Sequence, residues 1–213
     1  MRRLKQHVFY AGILLIVCGI SFTASAQGSV ADIEGNKYKT ITIGNQEWIV
    51  ENLRTTKFND GTAIPNITDK KEWVHATSSG YIWYDNEISN KTVYGGLYNW
   101  QAVETGKLCP QGWCVPTDDD WTALCDYLGK NENVVAALET AGFSIVSGGY
   151  RYGYYWGPGT YHEKDTNGYW WTSTATTETH VWSRTISRDK SKVYRSYFEK
   201  NNGFAVRCIK CEQ

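Results

Sequence analysis

The C-terminal part of the chain alternates short β-prone runs with turn residues, and no other feature constrains its fold as strongly. β-branched and aromatic residues dominate each run, while Gly, Asn and Asp separate one run from the next. This pattern is typical of strands joined by tight turns, so we expect an antiparallel sheet between Phe143 and Ile209. The runs are FSIVSG, YWWTST, HVWSRTIS, KVYRSYF and GFAVRCI.

The last of these runs also indicates which way its side chains point. Along a half-buried strand, alternate residues share one face. Phe204, Val206 and Cys208 then lie on the same face, and we expect that face to meet the core. Cys211 has the opposite parity.

Upstream, the sequence predicts one hairpin followed by an irregular region. Residues 37–53, KYKTITIGNQEWIVENL, carry two β-rich runs around Gly44-Asn45, a dipeptide suited to a hairpin turn. Turn residues interrupt residues 54–96 repeatedly, and we expect ordered loops there. Aromatic residues supply apolar anchors for these loops, namely Trp73, Tyr81, Trp83 and Tyr84.

A helix is expected to begin after Thr117. The Thr117 side chain can cap the free N–H groups, and the three carboxylates of residues 118–120 favour the positive end of the helix dipole. Apolar residues then recur at helical spacing, which predicts one buried face and an end at Gly129. These residues are Trp121, Leu124, Cys125 and Leu128.

A second helix is expected from about Glu132 to Thr140, closed by Gly142. The order of elements is then an early hairpin, two helices and a run of strands. We therefore predict an α+β fold.

The first 26 residues have the layout of a secretory signal peptide. Three basic residues precede an apolar run from Val8 to Ile20, and the small residues 24–26 provide a cleavage site. The 13-residue run is shorter than the roughly 20 residues that a membrane span needs. We expect a secreted, cell-surface or periplasmic protein with no membrane span. Lipid attachment at Cys18 is the alternative, although Val17 stands where a lipoprotein signal normally has Gly or Ala.

The expected division is a signal peptide (1–26), a short leader (27–36) and one domain (37–213). Removal of the signal leaves 19 basic against 22 acidic side chains, a balance of −3. This balance does not favour nucleic acid or an anionic membrane surface as a partner.

Five cysteines follow the signal, an odd number in a protein sent to a compartment that permits disulfides. Leaving one unpaired and pairing the other four allows 5 × 3 = 15 arrangements, so spacing alone does not decide the connectivity. Four of them could instead form a zinc site, but export favours disulfides. The five are Cys109, Cys114, Cys125, Cys208 and Cys211.

Six segments in fixed order resemble the Fibrobacter succinogenes major paralogous domain, a family of exported bacterial proteins common in the Bacteroidota. They are ITIGNQEWIVENLR, YGGLYNWQAV, LCPQGWCVPTDDDW, AGFSIVSGGYR, GYWWTST and GFAVRCIK, which together cover nearly the whole chain after the signal. The resemblance implies a C-type lectin-like fold, in which two helices pack on a small antiparallel sheet and the ends of the domain are tied together.

The same resemblance implies a disulfide between Cys109 and Cys208. By the chain-entropy relation, closing a loop of about 100 residues contributes about 4 to 5 kcal/mol. Cys114 with Cys211 is a possible second pair, which would leave Cys125 on the buried helix face. The family itself implies no assigned biochemical function, and folds of this class host sugar binding, protein binding and oxidation chemistry.

Sequence motifs for catalysis are missing after the signal. The histidines there are His75, His162 and His180, and the chain has no HExxH, no GxSxG and no phosphate-binding glycine loop. An exported enzyme remains the alternative function. Its two forms are a glycoside hydrolase-like enzyme with paired carboxylates and an oxidase resembling the formylglycine-generating enzymes, for which Cys208 and Cys211 are the close pair. We predict no metal and no cofactor.

A binding function is favoured by the aromatic run YRYGYYWGPGTY, residues 150–161. Its glycines predict a surface loop, and exposed rings with polar tips suit sugars or protein hot spots. The competing interpretation is that half of these rings fold into the core. From the loop, the candidate ligand-binding residues are Tyr152, Tyr154, Tyr155, Trp156 and Tyr161. The last strands add Trp182, Tyr194, Arg195 and Tyr197.

We therefore expect a cell-surface or secreted module that binds an extracellular glycan or protein. A narrower version follows from the resemblance, since some C-type lectin-like proteins of gut bacteria and phages are diversified by retroelements in their C-terminal strands. A retroelement-diversified receptor or adhesin is that version.

Overall fold

The structure is a computed structural model that describes residues 24–130, 133–154, 156, 158–187 and 192–212. Most of the predicted signal peptide, including Cys18, lies outside these residues. None of the helices in the described ranges is long and apolar enough to cross a membrane.

Short strands dominate the described residues. In chain order they are β1 (Ala24–Ala31), β2 (Lys37–Ile43), β3 (Gln46–Ile49), β4 (Tyr81–Ile82), β5 (Leu97–Tyr98), β6 (Trp113–Cys114), β7 (Gly148–Arg151), β8 (Tyr161–Lys164), β9 (Asn167–Ala175), β10 (His180–Ser187), β11 (Val193–Glu199) and β12 (Ile209–Lys210). The helices are α1 (Lys70–Val74), α2 (Lys91–Tyr94), α3 (Trp100–Glu104), α4 (Asp118–Tyr127) and α5 (Val134–Thr140), with two 3₁₀ turns at Tyr84–Asn86 and Ile88–Asn90.

The strands form two five-stranded sheets and one two-stranded sheet within the described residues. The first sheet has the order β1-β2-β3-β12-β6 and the second the order β11-β10-β9-β7-β8, while β4 pairs with β5. Most pairs are antiparallel, and β7 beside β9 is parallel. Few helices and several antiparallel sheets make this an α+β fold, as the sequence predicted.

The predicted hairpin is confirmed, and it joins the two ends of the domain. Ile43 of β2 pairs with Gln46 of β3 across a turn in which Gly44 has a φ of 62°. Trp48 of β3 also pairs with Ile209 of β12. The first sheet therefore contains both early and late segments of the chain, and β1 adds an edge strand through residues that the sequence assigned to the signal and leader.

The predicted first helix is confirmed as α4. Thr117 and Asp120 form a capping box, in which the Thr117 hydroxyl accepts from the Asp120 N–H at 3.1 Å and the Asp120 carboxylate accepts from the Thr117 N–H at 2.7 Å. Trp121 and Leu124 are buried, and Gly129 has a φ of 115° beyond the helix. α5 begins two residues later than predicted.

Residues 54–96 contain more helix than the sequence indicated, because α1, α2 and the 3₁₀ turns form there. Each is too short to show helical periodicity in the sequence. The four predicted aromatic anchors of this region, Trp73, Tyr81, Trp83 and Tyr84, are buried, which confirms that interpretation.

One prediction for the C-terminal part was wrong. Residues 143–147 form no strand, because the backbone of Ser144 binds outside any sheet: its N–H donates to Val50 O at 3.1 Å and its C=O accepts from Arg207 Nη2 at 2.6 Å. The expected alternation in residues 204–208 is confirmed, since Phe204, Val206 and Cys208 belong to one core cluster and Ala205 belongs to another. Both faces are buried, so the segment is not the half-buried strand that the sequence suggested. This segment runs between the two large sheets and is covered on both sides.

Arg207 connects this segment to residues before and after it in the fold. Its Nη2 donates to Asn52 Oδ1 at 2.9 Å as well as to Ser144, its Nη1 donates to Val50 O, and its guanidinium carbon lies 4.4 Å from the Phe143 ring centre. Burial lowers the pKa of Arg207 to about 9. Its hydrogen bonds and ring contacts offset part of the cost of desolvating this cation.

The disulfide that the resemblance implies and the possible second pair are both present. Cys109 is bonded to Cys208 and Cys114 to Cys211, with sequence separations of 99 and 97. Cys125 is free and half-buried, and burial raises the pKa of its thiol to about 11. The two bridges tie the segment before α4 to the last residues of the chain, and they fit an extracellular location.

Candidate functional site

A chain of ring contacts crosses one face of the second sheet, and we call it the aromatic strip. It consists of Tyr154, Tyr152, His162, Tyr150, Tyr169 and Phe198. Their successive ring centres lie 6.2, 6.0, 5.3, 4.8 and 5.9 Å apart. Tyr154 is exposed, Tyr169 is buried and the other four are half-buried. The strip thus contains one ring in the core, that of Tyr169, and ends at the surface with the ring of Tyr154.

Strand pairing explains why these rings meet. Tyr150 and His162 stand opposite each other in the β7–β8 hairpin, and their rings stack at 27°. Tyr169 of β9 is paired with Thr185 of β10, which is paired with Tyr194 of β11. Directly paired residues project from the same face of a sheet, so Tyr194 lies on the strip face.

Beside the strip is a depression of about 230 Å³. Aromatic and short polar side chains line it together, which suits a ligand with both apolar and hydroxyl surface. Its lining comprises Asn167, Tyr169, Thr185, Ser187, Tyr194, Ser196 and Phe198.

The loop between β7 and β8 is held in place by close backbone contacts. Gly153 lies so near Asn201 that an added Cβ would come within 1.8 Å of Asn201 O, and its N–H donates to Asn202 Oδ1 at 3.1 Å. Gly159, with a φ of 59°, lies against the backbone of Lys70. Gly153 and Gly159, two of the glycines that predict a surface loop, therefore lie against the rest of the domain.

Trp156 lies in this fastened loop and is 81% exposed. A large apolar ring so exposed is suited to contact a ligand. Tyr155, which the sequence placed in the candidate site, lies outside the described residues.

Tyr161 lies elsewhere. Its hydroxyl donates to Asn86 Oδ1 at 2.6 Å, and its ring centre is 5.0 Å from that of Tyr84. The guanidinium of buried Arg151 stands 5.4 Å from the Tyr161 ring and donates to three backbone carbonyls of residues 67–69. In the structure Tyr161 is packed against the domain away from the strip.

Trp182, Arg195 and Tyr197 project from the opposite face of the sheet. Arg195 is paired with Arg184, whose guanidinium lies on the α4 side and contacts Asp118 Oδ1 at 2.8 Å. Arg195 Nε donates to Asp118 Oδ2 at 2.8 Å, and its guanidinium carbon is 3.4 Å from the Trp182 ring centre. The candidate residues of the last strands are therefore divided between two faces.

The strip carries polar groups as well as rings. The Tyr169 hydroxyl donates to Glu163 Oε2 at 2.5 Å. Burial raises the pKa of Tyr169, and the hydrogen bond to Glu163 adds to that shift. Burial also raises the pKa of Tyr150. Both phenols are thus neutral at physiological pH and act as hydrogen-bonding groups.

His162 and Tyr169 are members of the strip that sequence reasoning missed. His162 joins the strip because the register of the β7–β8 hairpin places it opposite Tyr150, and the sequence does not reveal that register. Tyr169 belongs to GYWWTST, a segment that reads as structural from its apolar composition. Tyr150 and Phe198 belong to aromatic runs that the sequence associates with the binding surface, although they are not among the candidate ligand-binding residues.

A cleft of about 850 Å³ lies between the β2–β3 turn, the start of α4 and the C-terminal strand. The Cys114–Cys211 bridge forms part of its wall. Across the described ranges, no group of three or more His, Cys, Asp or Glu side chains is arranged to hold a metal ion.

Comparison with known proteins identifies the family of this chain. No curated protein and no solved structure gave a match to the chain. A family model, the Fibrobacter succinogenes major domain, matches residues 41–210, which include most of the hairpin, both longer helices, the second sheet and the Cys109–Cys208 bridge. The chain therefore belongs to the Fibrobacter succinogenes major domain family.

Proposed function

We propose that the protein is an exported binding module that recognises a glycan through the aromatic strip. The observation that carries this proposal is the unbroken series of ring contacts from Tyr154 to Phe198 on one sheet face. Export is supported by the N-terminal sequence and by two disulfides.

The chemistry of the strip suits a sugar. Tyrosine has an apolar ring face that can stack on the C–H side of a sugar ring, and a hydroxyl that can bind sugar hydroxyls. Glu163 and Asn167 lie beside Tyr169 and add an acceptor and an amide. A sugar could therefore stack on the rings and hydrogen-bond at their rim.

The rigidity of the surface also supports binding. β7, β8 and β9 hold the central rings, and Gly153 and Gly159 fasten the loop that carries Tyr154 and Trp156. Ordering a flexible surface on binding costs roughly 0.5–1.5 kcal/mol per side chain. Rings already held in place avoid much of that cost.

We further propose that the fold is C-type lectin-like. Two longer helices, α4 and α5, share a core with Trp170 and Ile186 of the second sheet. The pairing of Trp48 with Ile209 ties the two ends of the domain together. Both are features that the family resemblance implies.

A binding survey of immobilised glycans with the purified protein tests the function. We expect the protein to bind a glycan. In the Tyr154→Ala variant the affinity should fall at least about tenfold, roughly 1.4 kcal/mol. Tyr127→Ala is the matched control, because Tyr127 is also 42% exposed but lies on α4.

Equal loss of binding in both variants would contradict a role for the strip. Absence of glycan binding up to about millimolar concentration, with capture of a protein ligand that depends on Trp156, would replace the glycan by a protein partner.

A further inference from the structure

We propose that the Cys114–Cys211 bridge is a thiol–disulfide exchange site, at which the protein oxidises a small thiol that carries an amino group. The bridge forms part of the wall of the 850 Å³ cleft beside the first sheet, whereas the aromatic strip lies on the second sheet. Cys114 is exposed and Cys211 is half-buried. A thiol in the cleft therefore has the access to sulfur that exchange needs.

The fold depends less on this bridge than on the other one. Cys109–Cys208 joins the same two segments of the chain, and both of its residues are buried in the core. Once that bond is closed, Cys114–Cys211 closes only a further ring of about ten residues, and the stabilisation by a disulfide decreases with the size of the ring.

Backbone hydrogen bonds hold the two cysteines together without the sulfur–sulfur bond. β12 pairs with β6, which sets Ile209 opposite Cys114. The Cys211 N–H donates to Gly112 O at 3.1 Å. Opening the bridge therefore leaves both thiols side by side in a folded domain, as reversible exchange requires.

The exchange begins when a ligand thiolate attacks the Sγ atom of exposed Cys114. A sulfur–sulfur bond to the ligand forms, the Cys114–Cys211 bond breaks, and its electron pair leaves on Cys211 Sγ, which takes a proton from water. A second ligand thiolate then attacks the sulfur of the bound ligand, and Cys114 leaves as a thiolate and is protonated. The bridge has been reduced by two electrons, and two ligand thiols have been oxidised to one disulfide.

Charge in the cleft selects the ligand. Its lining carries the carboxylates of Glu47, Asp120 and Glu212 against the single ammonium group of Lys210. Asp120 is bound to Thr117 in the capping box at the positive end of a helix, and without its charge the balance is still negative. A cleft with an excess of one sign attracts ligands of the opposite sign. An aminothiol is therefore favoured over a thiol that carries a carboxylate.

Treatment with cysteamine, followed by acid quenching and mass spectrometry, tests the exchange. The Cys125→Ala background removes the free thiol, so that it cannot reshuffle the bridges. We expect cysteamine to open Cys114–Cys211 while Cys109–Cys208 stays closed and the near-ultraviolet circular dichroism is unchanged. Loss of that signal as Cys114–Cys211 opens would overturn the proposal, because the bond would then be required for the fold.

A Cys211→Ser variant in the same background tests the choice of ligand. Its Cys114 thiol should form a mixed disulfide with cystamine at least about fivefold faster than with dithiodipropionate at low ionic strength. Each rate is divided by that of an unstructured cysteine peptide, which cancels the intrinsic reactivity of the reagent. Glu47→Gln with Glu212→Gln should reduce this preference, and Glu178→Gln, an exposed change outside the cleft, should not. Equal normalised rates for the two reagents would overturn the selection of an aminothiol.

Discussion

Trp170 Nε1 donates a 2.8 Å hydrogen bond to Asn52 Oδ1 across 118 residues of sequence. The same oxygen accepts from buried Arg207, while Asn52 Nδ2 donates to Tyr94 O at 2.8 Å. One amide therefore connects the hairpin region, the second sheet, the C-terminal segment and α2.

Replacing Asn52 by Ala should strongly destabilise the domain. The change leaves an indole N–H and part of a buried guanidinium without an acceptor, and each such group costs about 1–3 kcal/mol. We expect the free energy of unfolding in urea to fall by about 3 kcal/mol. Asn66→Ala is the control, since this exposed amide makes one 3.3 Å bond, and a loss as large as that of Asn52→Ala would refute the account.

Replacing Gly153 by Ala should disturb the loop that carries Tyr154 and Trp156. A Cβ at this position would come within 1.8 Å of Asn201 O, so backbone must move. We expect a loss of stability of about 1–3 kcal/mol, with weaker ligand binding if the strip is the site. Gly148→Ala is a suitable comparison, because its nearest neighbour would be an ordinary contact at 3.4 Å. Equal effects of the two changes on stability would contradict the role given to Gly153.

The two disulfides should differ in access to a reductant. Cys109 and Cys208 are both buried, whereas Cys114 is exposed. Thiol–disulfide exchange needs access to a sulfur atom. In the folded protein we expect alkylation and mass spectrometry to show that dithiothreitol reduces Cys114–Cys211 first. Reduction of Cys109–Cys208 first would show that the core opens more readily than its packing indicates.

The Asp165→Asn variant should change the titration of Tyr94. The Tyr94 hydroxyl donates to Asp165 Oδ1 at 2.6 Å, and this hydrogen bond, followed by burial, raises the pKa of Tyr94 to about 12. Asn is a suitable replacement because residue 165 has a φ of 65°, which Asn tolerates. We expect the Tyr94 pKa, followed by ¹³C NMR of the phenol carbon, to fall toward the ordinary value near 10.

The raised pKa of Tyr94 also makes the free energy of unfolding depend on pH. The folded form holds its proton more tightly than the unfolded chain, so the contribution of Tyr94 is complete below about pH 10. It is lost as the pH rises through about 12. A variant with an unchanged Tyr94 pKa would show that Asp165 is not the cause.

Several elements could be predicted from residues that are neighbours in the sequence. Gly44-Asn45 forms a hairpin turn, and Thr117 with Asp120 forms a capping box within four residues. These features depend on neighbours a few positions away, so the sequence alone predicts them. The disulfide between Cys109 and Cys208 was accessible only through family resemblance, because pairing is a matter of distance in space.

Tertiary structure decided the site. Trp182, Tyr194, Arg195 and Tyr197 form one group in sequence, but the pairing of β10 with β11 sends Tyr194 to the strip face and the other three to the α4 side. Burial of Arg207 on both sides of its segment likewise depends on Val50, Asn52 and Ser144, which are far from it in the chain. The sequence by itself determined the turns, the helix cap and the content of aromatic rings. Only the folded chain determined which rings meet, because that depends on strand register and on contacts between residues distant in sequence.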